Sequence, residues 1–168
     1  MPEEFERHLI LSGEDATSAF AQAMAPLLGA GDVVALSGEI GAGKSHFARA
    51  LIRARLNAVG LDEDIPSPTF TLVQCYQAAD LEIWHSDLYR LTSPDDVFEL
   101  GLDEAFSFAL CLIEWPDRLG PDLPTDALHI HLTPGAADTD RNAALHAQGG
   151  AWAHRLVSVL DTENTAHD

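Results

Sequence analysis

A glycine-rich segment with one lysine could bind phosphate. Residues 38–45 read GEIGAGKS and match the G-x-x-x-x-G-K-S/T pattern at all four fixed positions. Glycines let successive backbone N–H groups turn inward around an anion, and a following helix adds its positive dipole end. The predicted contacts to a nucleoside triphosphate come from Gly41, Ala42, Gly43, Lys44, Ser45 and His46. A ligand-free turn is the alternative, but the apolar run before the segment and the amphipathic stretch after it favour a phosphate-binding loop.

Lys44 is the only lysine of the chain, since every other basic residue is arginine. Its compact ammonium on a long stem suits the β- and γ-phosphates, and the Ser45 hydroxyl can ligate magnesium. Guanine-specific GTPases read their base with an N-K-x-D motif, and no second lysine remains to form one. ATP is therefore favoured over GTP.

Two acids follow apolar runs that are typical of buried strands. Asp87 comes after LEIWHS and Glu114 after LCLI. A carboxylate at such a place is costly unless it meets a cation, and a P-loop enzyme needs one to hold magnesium or orient water. A surface carboxylate at a strand end is the alternative, and the residues alone do not divide the two roles. Trp115 beside Glu114 is either core or packs near the nucleotide.

Composition limits the partners that this chain can bind unaided. Nine Lys and Arg against 27 Asp and Glu give a net charge of −18, which repels nucleic acid and anionic membranes. An anionic nucleotide therefore needs a local binding device, and no stable tRNA binding is expected of the isolated chain. Cys75 and Cys111 lie in apolar stretches without a CxxC pair, so we expect buried thiols. The acidic N-terminus and the lack of a span-length apolar run predict a cytoplasmic protein.

The hydrophobic pattern alternates between strands and helices. The 168 residues predict one P-loop ATPase domain over 1–160 and a polar tail over 161–168. The predicted fold is an α/β P-loop NTPase-type domain with a mixed, mostly parallel central sheet flanked by helices. Ser12 and Asp15 resemble a capping box that would open the first helix. Strands are predicted at 8–11, 33–37, 69–77, 81–86, 108–114, 128–132 and 143–147, and helices around 20–28, 47–58, 93–101 and 152–160.

Five segments in a fixed order resemble one known family. They read GEIGAGKS at 38–45, SPTFTLV at 67–73, HSDLYRL at 85–91, ELGL at 99–102 and IEWPDR at 113–118. The series resembles the TsaE family, bacterial ATPases of tRNA threonylcarbamoyladenosine biosynthesis, from about residue 11 to residue 160. The H-x-D-L-Y-R-L and E-W-P segments are the specific ones, because the phosphate-binding loop alone is shared by many NTPases.

The resemblance implies a small ATPase that supports the tRNA-modifying machinery together with TsaD and TsaB proteins. It implies Ser45 and Glu114 as magnesium ligands, and Asp87 as the acid essential for hydrolysis. The catalytic residues are then Asp87 and Lys44. Further nucleotide contacts that it implies are Thr17, near the N-terminus, Thr69, in a loop that could sense the γ-phosphate, and Arg141, late in the chain.

The chain departs from the family pattern at two places. Ser45 and His46 stand where two threonines are usual, and a serine hydroxyl can still bind magnesium. Gln74 replaces a common glutamate. Two other functions use the same loop: a small-molecule kinase, although no Arg-rich lid is visible, and a docking module that binds ATP but scarcely cleaves it.

Overall fold

A seven-stranded sheet forms the centre of the protein. The computed structural model describes residues 4–39, 43–61, 65, 73–89, 100–148, 151–157 and 159. The spatial order of the strands is β1-β7-β6-β2-β5-β4-β3. Their bounds are β1 Glu4–Leu11, β2 Val33–Ser37, β3 Val73–Ala78, β4 Leu81–Asp87, β5 Leu110–Glu114, β6 Leu128–Pro134 and β7 Arg141–Gln148.

The sheet is mixed, as predicted, but it is not mostly parallel. Among the described strands, β2 is parallel to β5 and β6, and β4 is parallel to β5. The pairs β1–β7, β6–β7 and β3–β4 are antiparallel, so the two kinds of pairing are equally frequent. The prediction was wrong because the last strand, β7, folds back on β6 and also pairs with the N-terminal strand β1, which periodicity cannot reveal.

The helices lie on both faces of the sheet. Helix α1 spans Glu14–Met24 and continues as a 3-10 turn at Ala25–Leu27, while α2 spans Lys44–Ala58. These helices pack together through Phe20 and Phe47, whose ring centroids are 5.9 Å apart. A short helix α3, Leu102–Ala105, packs on the opposite face of the sheet. Residues 151–157 are helical as well. No helix among the described residues combines the length and the apolar character needed to cross a membrane.

The start of α1 differs from the predicted capping box. Gly13 is the N-cap residue, and no side chain caps the helix. The Ser12–Asp15 prediction was therefore wrong, because a residue that stands one position too early cannot cap the first turn with its hydroxyl.

Two clusters of buried side chains form the core. The larger one lies between the sheet and α1 and α2 and includes Leu36, Phe47 and Leu112. The smaller one lies on the other face and includes Ile113 and Leu102. The buried residues of β2 and β5 are apolar except for Glu114, the last residue of β5. Such continuous apolar runs are expected for strands that are covered on both faces.

The cysteine prediction was half right. Cys111 in β5 is buried, whereas Cys75 in β3 is exposed. The strand β3 lies at one edge of the sheet, where alternate side chains point away from the core. The predicted hairpin of β3 and β4 is confirmed over the described residues. Predicted structure at 69–72 and 93–99 lies outside the described residues.

Candidate active site

The predicted site residues gather where three parallel strands end. Strands β2, β5 and β4 run side by side and finish at Ser37, Glu114 and Asp87. Helix α2 begins at the same edge, with Gly43 as its N-cap residue in a left-handed conformation (φ +100°). In open α/β sheets ligands bind at this edge, beyond the carboxyl ends of the strands. The predicted contacts Gly41 and Ala42 lie outside the described residues.

Lys44 lies at this edge, and the residue as a whole is only 5% exposed. Its Nζ donates to the backbone carbonyls of Gly38 (2.7 Å) and Glu39 (2.9 Å). The same atom lies 4.3 Å from the centre of the Trp115 ring. Burial lowers the pKa of Lys44, and the negative charges of Glu114 and Asp87 offset part of that shift. The single lysine of the chain therefore faces both predicted acids.

Ser45 and Glu114, the predicted magnesium ligands, are in direct contact. The Ser45 Oγ donates to both carboxylate oxygens of Glu114 at 2.9 Å. Glu114 ends β5 and is only 2% exposed, so the surface-carboxylate interpretation does not hold for it. Hydroxyl and carboxylate oxygens are hard donors of the kind that Mg²⁺ takes. The chemistry of this pair fits the ion.

Asp87 lies beside Glu114 on the neighbouring strand. The two residues are partners in the parallel register of β4 and β5, and Asp87 is 6% exposed. The Asp87 Oδ1 accepts a hydrogen bond from the Tyr89 N–H at 3.1 Å, and the Leu88 N–H donates to the Glu114 carbonyl at 3.1 Å. The backbone thus holds the two carboxylates side by side, where a nearby cation is needed to stabilise both charges.

His85 belongs to the site although the sequence interpretation gave it no role. It is fully buried, and its Nε2 lies 2.6 Å from Glu114 Oε2. The signal was present in the H-x-D spacing, because residues two apart on a strand share a face. Only the pairing of β4 with β5 shows that this face meets Glu114.

Arg141 approaches the glycine-rich segment from β7. A Cβ placed on Gly43 would lie 3.2 Å from Arg141 Nε, so the guanidinium packs directly on this glycine. Its Nη1 donates to the carbonyls of Asp138 (2.6 Å) and Asp140 (2.8 Å). The structure therefore brings the late arginine to the start of α2, as the predicted contact requires.

Two other predicted contacts, His46 and Thr17, have different surroundings. The His46 Nε2 lies 2.8 Å from Ser18 Oγ and 3.4 Å from the Glu14 carbonyl, so its ring is bonded to α1. The buried Thr17 donates to the Gly13 carbonyl at 3.5 Å, within the first turn of α1. Thr69 lies outside the described residues.

Trp115 borders the site and is only partly buried. Its backbone is left-handed (φ 60°, ψ 54°), a conformation that is rare for a bulky residue and costs of order 1–3 kcal/mol. The ring contacts both the Lys44 amine and the Tyr89 ring, whose centroid is 5.0 Å away. It also lines a cleft of about 440 Å³ together with Glu39, Asp117 and His131. Trp115 also packs against the smaller core cluster, so it serves the core as well as bordering the site, and its contact with a nucleotide stays a prediction.

Known proteins resemble this chain over most of its length. The family described as "Threonylcarbamoyl adenosine biosynthesis protein TsaE" matches residues 11–143, a range that contains every described site residue. A "tRNA threonylcarbamoyladenosine biosynthesis protein TsaE" of Rickettsia bellii is 42% identical over 123 residues, 73% of this chain and 83% of the relative. The protein of the same name from Bacillus subtilis is 33% identical over 153 residues, 90% of this chain and 89% of the relative.

A solved structure has the same fold. The crystal structure of Bacillus subtilis YdiB superposes with a TM-score of 0.71 at 25% sequence identity, and covers 100% of this chain and 99% of the other. Family match, sequence relatives and fold agree over most of the chain. The chain belongs to the TsaE family of threonylcarbamoyl adenosine biosynthesis proteins.

Proposed function

We propose that this chain is a magnesium-dependent ATP hydrolase that supports tRNA threonylcarbamoyladenosine biosynthesis. One observation carries the proposal: a buried amine, a hydroxyl and two neighbouring buried carboxylates converge where a helix begins. Lys44, Ser45, Asp87 and Glu114 are these four groups. The names of its relatives supply the pathway.

The charges of the site favour a nucleoside triphosphate that binds together with a magnesium ion. A triphosphate alone would be repelled by Asp87 and Glu114, so its binding depends on cations. Lys44 supplies one positive charge and Arg141, packed on Gly43, a second one. Ser45 and Glu114 would hold the magnesium ion, whose chemistry is to neutralise charge that develops on the phosphates.

We assign the orientation of the water to Asp87. It ends β4 directly beside Glu114, the carboxylate that Ser45 and His85 contact. A carboxylate there can accept a hydrogen bond from the attacking water and orient it toward the γ-phosphorus. The phosphoryl group is then transferred to water, and ADP and inorganic phosphate are released.

The partners in this proposal are proteins of the TsaD and TsaB type. A chain of net charge −18 attracts neither tRNA nor an anionic metabolite at long range. Hydrolysis therefore serves a complex in which other subunits hold the tRNA. The expected role is to support or reset that complex after the adenosine at position 37, beside the anticodon, is modified.

The proposal is tested by ATP turnover in a complex reconstituted with TsaB and TsaD. Lys44→Ala and Asp87→Asn should each lower release of inorganic phosphate by about 100-fold or more, the range seen when one electrostatic catalytic group is removed. Asp80→Asn is the matched control, because it makes the same chemical change at an exposed turn and should leave turnover unchanged.

Two results would contradict the proposal. Transfer of the γ-phosphate to a metabolite, with no inorganic phosphate formed, would show a kinase. Bound ATP that stays uncleaved in a single turnover with all partners present would show a docking module.

A further inference from the structure

The buried face of β4 changes from apolar to polar as it approaches the site. Leu81, Ile83, His85 and Asp87 alternate along this face, and all four are buried. In the register with β5, His85 lies opposite Leu112, and Asp87 lies opposite Glu114. His85 therefore stands one layer deeper in the sheet than the two carboxylates.

We propose that His85 is a positioning residue that fixes the Glu114 carboxylate in the orientation needed to ligate magnesium. This inference rests on the proposed function, since it assigns the support of a ligand in that site. The carboxylate accepts hydrogen bonds from two directions. Ser45 donates to both of its oxygens at 2.9 Å, and His85 Nε2 lies 2.6 Å from Oε2.

The cost of burying an imidazole shows that His85 does more than fill space. The ring is fully buried, and its Nδ1 has no hydrogen-bond partner among the described residues. An apolar side chain, such as Ile83 two residues earlier, would fill this layer without that cost. Its hydrogen bond to Glu114 is thus the contact that favours histidine here.

The donor atom of the hydrogen bond between His85 and Glu114 is identified from the chemistry of Glu114. An ionised carboxylate only accepts hydrogen bonds, so the proton of the short contact is assigned to Nε2. A carboxylate that binds a metal is commonly held by such an outer hydrogen bond, and loss of it lowers metal affinity by about 10- to 100-fold. Among the described residues, only Ser45 donates to Oε1, which is therefore the less committed of the two oxygens.

Three substitutions at His85 distinguish the effect of its hydrogen-bond donor from the effect of its packing. The side-chain amide nitrogen of His85→Gln can reach the place of Nε2 and keep the donor. His85→Asn keeps a buried amide but places it nearer to Nδ1, and His85→Leu fills the space without a donor. The melting temperature of each variant reports whether the fold is retained.

The measurement is ATP affinity of the full chain by calorimetry, with magnesium and with EDTA in its place. We expect His85→Gln to keep the magnesium-dependent gain in affinity within about threefold. His85→Asn and His85→Leu should lose about 10-fold or more of that gain. Affinity in EDTA should match the wild type in all three, because Lys44 and the loop are unchanged.

Each outcome bears on one of the two proposals. A folded His85→Asn or His85→Leu variant with the full magnesium gain would overturn the role of His85. A His85→Gln variant that loses the gain as completely as His85→Asn would overturn it too. A wild-type chain whose ATP affinity ignores magnesium would instead contradict the proposed function.

Discussion

Gly43 and Trp115 are two residues of the site whose backbone has a positive φ angle. Both have left-handed dihedral angles; Gly43 precedes Lys44 in the chain, and the Trp115 ring centre lies 4.3 Å from the Lys44 amine. Gly43 adopts that conformation without strain, since it has no Cβ, and so lets the chain turn directly into α2. Trp115 is a bulky residue in the same region, and its ring is held there by Lys44 and Tyr89. The position of the amine depends on both.

Gly43→Ala should damage nucleotide binding more than stability. A non-glycine residue in the left-handed region costs about 1–2 kcal/mol of unfolding free energy. The new Cβ would also lie 3.2 Å from Arg141 Nε and displace either the loop or the guanidinium. We expect ATP affinity, measured by calorimetry, to fall by about 10-fold or more.

Gly31→Ala is the matched control for that variant. Gly31 also has a positive φ of 88°, but a Cβ there would meet only Ser107 O at 4.0 Å. It should lose a similar amount of stability and keep its ATP affinity. Equal loss of affinity in both variants would contradict a specific contact between Gly43 and Arg141.

At the scale of elements, the site lies where three strands end and one helix begins. Strand β2 and helix α2 flank the phosphate-binding segment, and β4 and β5 each end in one acid. These elements could be predicted because each leaves a local pattern: an apolar run, a glycine motif, a helical stripe. Lys44, Ser45, Asp87 and Glu114 were found in that way.

What the sequence did not reveal depends on pairing between distant segments. The bond from His85 to Glu114 exists only because β4 lies beside β5, and that of His46 to Ser18 only because α2 packs on α1. The exposure of Cys75 has the same origin. An apolar stretch indicates a strand, but only the sheet order shows that β3 is an edge strand with one face uncovered.

The two cysteines should differ in reactivity because Cys111 lies in the buried central strand β5, whereas Cys75 is exposed on the edge strand β3. Burial raises the pKa of Cys111 to about 12, so almost no thiolate forms near pH 8. Burial also raises the pKa of Cys75, with help from the charge of Glu82, but this thiol is exposed and can react slowly. Iodoacetamide should therefore add one label to the native chain and a second only in denaturant, as counted by intact mass.

Cys75→Ser supplies the control for that labelling. The native variant should take up no label, and the denatured variant one. Rapid labelling of Cys111 in the native wild type would mean that β5 is not a buried central strand.

At the scale of the whole molecule, charge is distributed unevenly. The chain carries 27 acidic and nine basic residues, yet α2, with the sequence KSHFARALIRARLNA, holds four of the basic ones and no acid. Lys44 begins this helix, and its N-terminal dipole end adds to the positive field. An acidic protein can thus bind an anionic nucleotide at one place while repelling polyanions elsewhere.

The isolated chain should consequently bind tRNA poorly. Neutralised phosphates provide most of the non-specific affinity for nucleic acid, and a net charge of −18 opposes that contribution. A gel shift with bulk tRNA at about physiological salt should show no stable complex, with or without ATP. Tight binding that weakens as salt is raised would contradict this account of the partners.

The central claim is that ATP bound and hydrolysed at Lys44 is required to support tRNA threonylcarbamoyladenosine biosynthesis. Its most direct test is the threonylcarbamoyladenosine content of tRNA, measured by mass spectrometry in cells whose only copy carries Lys44→Ala. The level should fall to that of cells without the protein, while an Asp80→Asn copy at equal abundance keeps the normal level. A normal level in the Lys44→Ala cells would contradict the account.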